Sequence, residues 1–340
     1  MKNIIFFSHA EKGPSGGAKY IYRCSEIINN IKDFSSQVIH IKKKKTSKFK
    51  NSINKMLKIN KNLSSGWQLS DITYAKNFKY KWFDNSIVLK KNFNFDYKKD
   101  FIILPEIFAH LANDLLIKKK INYAILVQNG YSINSTNDQQ KLFKAYKNAK
   151  FILSGSKDTQ NCIKLRFPKL KTKILKVSYH IDLGHLNLNK KRNMIIYMSR
   201  KLPQHSNLVI SSLQPHLPKK WILKNLHNLS YEKYLSIIKQ SKIFLSFSYL
   251  EGLGLPPVEA ALAGNQIIGY TGEGGNEYWK KPLFTKINLG EINRFVKTVI
   301  YRISKDNYKK NYSKKQLISL KKKFSKENEI KNIQKFLKLI

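Results

Sequence analysis

Two carboxylates stand out in a chain that has few. Glu251 and Glu259 are separated by seven residues within EGLGLPPVEAALAG, with Gly252 and Gly254 between them and Pro256-Pro257 where a helix should begin. Glycines let a ligand approach the backbone, and proline in a first helical turn costs no hydrogen bond. The helix that follows points unsatisfied N–H groups at whatever lies before it, which suits an anion. Glu251 precedes that helix and Glu259 lies about one turn inside it. Such a pair can grip two hydroxyl-bearing parts of one ligand while the amides between them take its phosphates. The alternative is a pair of ordinary surface carboxylates. Only 21 of the 340 residues are acidic, and Ile243–Tyr278 is thinned of lysine, which weighs against chance.

The segment resembles the E-x7-E signature of retaining GT-B glycosyltransferases of the "glycosyl transferases group 1" (family 4-like) family. The resemblance implies that Glu251 contacts hydroxyls of the transferred sugar and Glu259 holds the nucleotide ribose. It also implies that the amides around Gly252, Leu253 and Gly254 lie beside the donor sugar and diphosphate. YMSRK, ending the first strand of the second half, is similar to the family's strand that ends in a basic residue neutralising the diphosphate. Arg200 is the candidate for that role, because negative charge develops on the leaving nucleotide and a fixed guanidinium meets it. The family's second base, five residues on, is replaced by His205. Lys201 either substitutes for that base or is one solvated lysine among many.

The loop GPSGGAKY is similar to the family's N-terminal Gly-rich loop, where Gly16 and Gly17 let backbone approach the donor phosphates or the acceptor, or simply form a turn. After the strand NYAILV, where many members carry a histidine, stand Gln128, Asn129 and Gly130; amides can bond sugar hydroxyls but are neither acid nor base. Glu106 in LPE either orients an acceptor hydroxyl or caps the following helix. The loop TGEGGNEYW resembles the family's Gly-rich loop ending in Glu. There Gly274 and Gly275 supply backbone freedom, and Glu277 closes the donor pocket or, like Glu273, is structural. The resemblance implies that the leaving phosphate itself deprotonates the acceptor, since no base is identifiable from the residues.

Other chemistries find little support. No two of the ten Asp residues are two apart, so the metal-bridging Asp-x-Asp of other nucleotide-sugar enzymes is missing. The eight histidines form no zinc pattern, so neither a metal nor another cofactor is expected. His9, following the first strand, lines a cleft or is an ordinary strand-end residue. Cys24 and Cys162 suggest no zinc site or disulfide framework. The first loop lacks the G-x-G-x-x-G spacing, which disfavours a nicotinamide dehydrogenase.

The elements that must position these residues alternate as in doubly wound sheets. Strands are expected at Asn3–Phe7, Gln37–Ile41, Ser86–Leu89, Phe101–Leu104, Tyr123–Val127, Phe151–Ser154 and Lys173–Val177. Helices are expected at Ala18–Asn30, Ile107–Lys118 and Asp138–Asn148; stretch 42–80 carries no clear pattern. After a polar linker, His185–Asn193, the alternation restarts with strands Met194–Met198, Trp221–Leu223, Ile243–Phe247 and Gln266–Tyr270. Helices fall near Ser206–Leu213, at Tyr231–Gln240 capped by Ser230, at Pro257–Ala263 and at Gly290–Ile303. The expected architecture is α/β of GT-B type: an acceptor-side Rossmann-like domain 1–187 and a donor domain 188–313, two parallel-sheet domains facing a cleft. A C-terminal helix 314–340 either docks or touches a membrane.

The 64 Lys+Arg against 21 Asp+Glu give a net charge of +43, which at first suggests nucleic acid. Only six of these are Arg and 58 are Lys, whereas base readers rely on the Arg fork, and no base-reading module occurs. Abundant Lys, Asn and Ile fit an AT-rich codon bias. The basic surface also suits polyanionic nucleotide sugars and peripheral contact with an anionic membrane face. No apolar run approaches the roughly 18 residues that span a bilayer, and a cytoplasmic enzyme is expected. The partners expected are a nucleotide sugar and a glycan or lipid-linked acceptor, as in capsule or lipopolysaccharide synthesis. A GT-B epimerase or phosphorylase, and more distantly a basic nucleic-acid-binding protein, are the competing readings.

Overall fold

The computed structural model describes residues 1–11, 13, 15–44, 67–80, 87–184, 191–305 and 313–340. Pro14, Ser86, His185, most of the 42–80 stretch, most of the expected linker and the expected boundary at 187 lie outside the described residues. Two compact units emerge. One comprises Met1–Ser154, Thr159–Lys176 and Leu339–Ile340, the other Gly155–Asp158 and Val177–Lys338.

In the first unit the continuous apolar run of β1 (Lys2–His9) is buried on both faces, as a central parallel strand requires. Helix α1 (Gly16–Asn29) follows, capped by the Ser15 hydroxyl, which accepts from the Ala18 amide at 3.2 Å. Next come β2 (Phe34–Lys43), β3 (Ile72–Tyr74), β4 (Asp100–Pro105), β5 (Asn122–Val127), α2 (Gln139–Asn148), β6 (Phe151–Ser154), α3 (Lys157–Arg166) and β7 (Ile174–Lys176). The sheet order is β3-β2-β1-β4-β5-β6-β7, parallel except for the antiparallel edge strand β3. The chain winds one way from β1 and the other way from β4, so the order reverses between them. Ligands of such sheets bind beyond the carboxyl ends of the strands at that reversal.

The second unit contains β8 (Met194–Tyr197), α4 (Pro203–Leu213), β9 (Ile222–Asn225), α5 (Tyr231–Gln240), β10 (Ile243–Glu251) and α6 (Leu255–Leu262). It continues with β11 (Gln266–Glu273), β12 (Phe284–Lys286), α7 (Ile292–Lys305), α8 (Lys314–Lys323) and α9 (Lys326–Leu337). Its wholly parallel sheet, β12-β11-β10-β8-β9, reverses between β8 and β10. Phe247, Tyr270 and Phe295 centre its core. Lys191 ties two helix ends together, its Nζ lying 3.2, 2.8 and 2.6 Å from the carbonyls of Ile238, Ser241 and Ala263.

Several local expectations change, and the strand expected at Ser86–Leu89 is, over its described residues, a single bridge of Leu89 to Val38. Ile107–Lys118 is not one helix but a 3-10 turn, Glu106–Leu111, followed by a π-helical turn, Asn113–Ile117. Tertiary bonds set this winding: His110 spans from the Ser135 hydroxyl (2.9 Å) to the Trp67 carbonyl (2.6 Å), and the Asn113 amide donates to Lys141 O at 2.8 Å. Helix α3 has no counterpart in the sequence reading, since its only buried residues are Thr159 and Ile163. The C-terminal segment is two helices, parted at Phe324 where Ser325 caps the second. Leu317, Leu320, Phe324, Ile333, Phe336 and Leu337 are buried, as docking requires. No helix among the described residues is long and apolar enough to cross a membrane.

Gly269 sits mid-strand in β11 at φ +134, and a Cβ there would lie 2.2 Å from Ser246 O and 2.8 Å from the Phe295 ring. Gly269→Ala is therefore expected to cost about 3 kcal/mol or more, seen as a lowered urea midpoint. Glu106 is buried, and its carboxylate accepts from the amides of Gln128 (3.1 Å) and Asn129 (3.0 Å). Burial outweighs those bonds and pushes its pKa from 4.5 to about 7. Between these values the unfolded carboxyl is ionised and the folded one protonated, so stability falls as pH rises, by on the order of 3 kcal/mol in all. Urea midpoints between pH 4.5 and 8 should show this decline in the wild type and not in Glu106→Gln; equal slopes would refute the assignment.

Candidate functional site

The sequence-singled residues of the second unit gather at the carboxyl ends of β8 and β10, on either side of the strand-order reversal. The Lys201 ammonium, just beyond β8, lies 3.3 Å from Glu251 Oε1 at the end of β10. Arg200 beside it is exposed, without a hydrogen bond or ion pair among the described residues. His205, at the position of the absent second base, has its Nδ1 3.1 Å from the Tyr270 hydroxyl.

Beyond Glu251 the chain turns through Gly252, Leu253 and Gly254, all buried, and enters α6 with Gly254 at φ +72. No side chain caps this helix. The two prolines change the expected anion site. Pro256 and Pro257 lack N–H groups, so of the amides left unsatisfied at the start of α6, those of Gly254 and Leu255 remain. The fully buried Tyr278, missed in the sequence, lies with its hydroxyl 2.7 Å from Gly254 O and 3.0 Å from Leu253 O. Burial raises its pKa, so it stays a neutral donor.

The second Gly-rich loop packs directly on the first. A Cβ on Gly274 would lie 2.1 Å from Gly252 O, so Gly274 is required by the approach of the two backbones. Gly275 leaves space against the Trp279 indole, which a Cβ would meet at 3.0 Å. Glu277 is 2.5 Å from the Lys323 ammonium of α8 and accepts from the Lys157 amide at 2.9 Å. Glu259 Oε2, in α6, accepts from the Tyr234 hydroxyl at 2.6 Å, and Tyr234 stacks on Tyr231 of the same helix, α5. Burial, then the Glu259 charge, holds Tyr234 well above the usual tyrosine range. An aromatic pair four residues or fewer apart on one helix was the available signal for this support.

In the first unit the structure joins residues that the sequence left separate. Gly16 and Gly17 open α1, and Gln128 Nε2 donates to Gly17 O at 3.0 Å. A Cβ on Gly17 would lie 2.2 Å from Gln128 Oε1. Glu106 holds the Gln128 and Asn129 amides, binding the end of β5 instead of capping its own turn. The Asn129 side chain caps the short turn Gly130–Ser132. His9 ends β1 with Nδ1 2.9 Å from Glu11 Oε1. Among the described residues no group of three or more His, Cys, Asp or Glu side chains could hold a metal ion.

No protein-family model matches the chain, and no curated protein sequence matches it. Solved structures do. Sucrose-phosphate synthase from Thermosynechococcus elongatus is 8% identical with a TM-score of 0.68, over 99% of this chain and 98% of that one. HepE from Anabaena, in complex with UDP-glucose, is 12% identical with a TM-score of 0.65 over 100% of both chains. The pneumococcal O-GlcNAc transferase GtfA, in complex with UDP and GlcNAc, is 14% identical with a TM-score of 0.62 over 99% of this chain and 98% of that one. At these identities the likeness is one of fold, and the fold is GT-B: two parallel-sheet Rossmann-like units, as in these glycosyltransferases.

Proposed function

We propose that the protein is a glycosyltransferase that moves a sugar from a nucleoside-diphosphate donor to an acceptor hydroxyl, with retention at the anomeric carbon and without a metal. One observation carries this reading. Glu251 and Glu259 flank the turn into α6 at the strand-order reversal, with Lys201 on Glu251 and the exposed Arg200, without a partner among the described residues, beside it. Glu259, steadied by Tyr234, takes the ribose hydroxyls. The amides of Gly254 and Leu255 take the diphosphate, and Arg200 with Lys201 meets the charge that develops on it. Glu251 takes the sugar hydroxyls. Gly274, Gly275 and Glu277 act by holding this turn in place, and Gly16 and Gly17 by shaping the first unit.

The structural neighbours bound to UDP, UDP-glucose and GlcNAc support a hexosyl donor of the UDP class. A glycan or lipid-linked acceptor in surface polysaccharide synthesis fits a lysine-rich cytoplasmic enzyme resting on an anionic membrane face.

Thermal shift against a panel of nucleotide sugars tests the donor site. A donor at a hundredfold its Kd stabilises by about 2.7 kcal/mol, several degrees for units of this size. UDP-glucose is expected to raise the wild-type Tm and to fail with Glu259→Ala; an equal response from the variant would overturn the site. In turnover assays Glu251→Gln is expected to lose on the order of 100-fold in kcat while still binding UDP. Anomeric analysis of the product tests retention, and its linkage to a free acceptor excludes an epimerase.

A further inference from the structure

The Lys201–Glu251 pair joins a movable member to a fixed one. Glu251 ends β10 where that strand rejoins β11, and its stem packs on Gly272, where a Cβ would lie 3.1 Å from Glu251 Cβ and 3.2 Å from Cγ. The carboxylate therefore stays where the sheet edge puts it. Lys201 follows β8, the other neighbour of β10, and its ammonium reaches Glu251 Oε1 at 3.3 Å on a flexible four-carbon stem. With the Lys201 side chain 42% exposed and that of Glu251 26%, the lysine is the member free to swing. Among the described residues no other cation pairs with this carboxylate. Arg200 stays exposed, Lys323 is held by Glu277, Tyr278 is a neutral hydroxyl, and Glu273, opposite Glu251 in the register, brings a second carboxylate.

A diphosphate at the start of α6 competes with Glu251 for this lysine. Lys201 is drawn to the more highly charged anion, and Glu251, unable to follow, is left unneutralised beside a phosphate, which costs binding energy. A sugar on the diphosphate offsets that cost, because its hydroxyls donate to the carboxylate in place of the ammonium. A bare nucleotide has nothing to offer in exchange. We propose that Lys201 is shared between Glu251 and the donor diphosphate, and that the pair makes the site prefer a nucleotide bearing a sugar to the same nucleotide without one. The assignment rests on the donor-site reading above and adds a selection to it.

The result is a site that lets go of its product. While the donor is whole, Glu251 holds the sugar and Lys201 the phosphate. Once the sugar has gone to the acceptor, the carboxylate loses its hydroxyl partners and draws Lys201 back. The spent nucleotide is then held at its phosphates by Arg200 and the Gly254 and Leu255 amides, with less help from Lys201, and it leaves faster. An uncharged amide in place of the Glu251 carboxylate would keep Lys201 on the nucleotide.

Calorimetric titration of the full chain with UDP and with UDP-glucose tests this in wild type, Glu251→Gln, Lys201→Met and the double variant, with urea midpoints reporting that all four are folded. Glu251→Gln is expected to bind UDP about fivefold more tightly than wild type and to lose the preference for UDP-glucose, a gain of affinity that structural damage would not produce. Lys201→Met is expected to weaken UDP binding, and to do so by about threefold more in the Glu251→Gln background than alone, since there no carboxylate competes for the lysine. A wild type with no preference for UDP-glucose over UDP, a Glu251→Gln variant that binds UDP no tighter than wild type, or additive effects in the cycle overturns the proposal and leaves the donor site standing on Glu259. A wild type that binds neither ligand removes the donor-site reading, and the selection with it.

Discussion

Between Ser248 and Glu251 the register of β10 on β11 shifts, and the loops beyond the carboxyl end of β10 are built around that irregularity. The strands pair regularly from Ile243↔Gln266 to Ser248↔Thr271 and meet again at Glu251↔Glu273. Leu250 absorbs part of the change at φ +46, Gly272 and Glu273 the rest at φ +66 each. Left-handed backbone at two residues with side chains is a local cost that the surrounding packing must offset. What the strain achieves is a pair of loops in backbone contact at Gly252 and Gly274, too close for any side chain between them. Glu251 therefore leaves a braced sheet edge, and its carboxylate meets Lys201 from a fixed direction.

What the sequence displayed and what it hid divide along the range of the interaction. The strands were legible because buried parallel strands are continuous apolar runs, and Glu251, Glu259 and the glycines because their spacing is local. Tyr278, Tyr234 and the Gln128–Gly17 contact were not, since each joins positions distant in the chain: 24, 25 and 111 residues apart. The prolines were read in the right place but for half their meaning, a harmless helix start that in fact deletes two amide donors. Ile107–Lys118 looked helical by pattern, and its winding was decided by His110 and Asn113 reaching other segments.

The lysine excess also reads differently in three dimensions. Most of the 58 lysines follow from composition. A few are specific: Lys191 gathers the carbonyls of two helix ends, Lys201 neutralises Glu251, and Lys323 neutralises Glu277. Each sits where an unpaired charge or carbonyl would otherwise be costly. The surface remains basic, but the second unit's organisation depends on which carboxylates and carbonyls these three reach.

Tyr278 has a consequence that comes from the flatness of the peptide bond. In a trans peptide the carbonyl and the next residue's N–H point in opposite directions. With the carbonyls of Leu253 and Gly254 turned toward the Tyr278 hydroxyl, the N–H groups of Gly254 and Leu255 are turned away from it. These are the same two donors that the prolines leave at the start of α6. Their dipoles are thus aligned by the fold before any anion arrives, and a phosphate bound there would not have to reorient them. A buried phenol with no chemistry of its own thereby sets the electrostatic preorganisation of the turn.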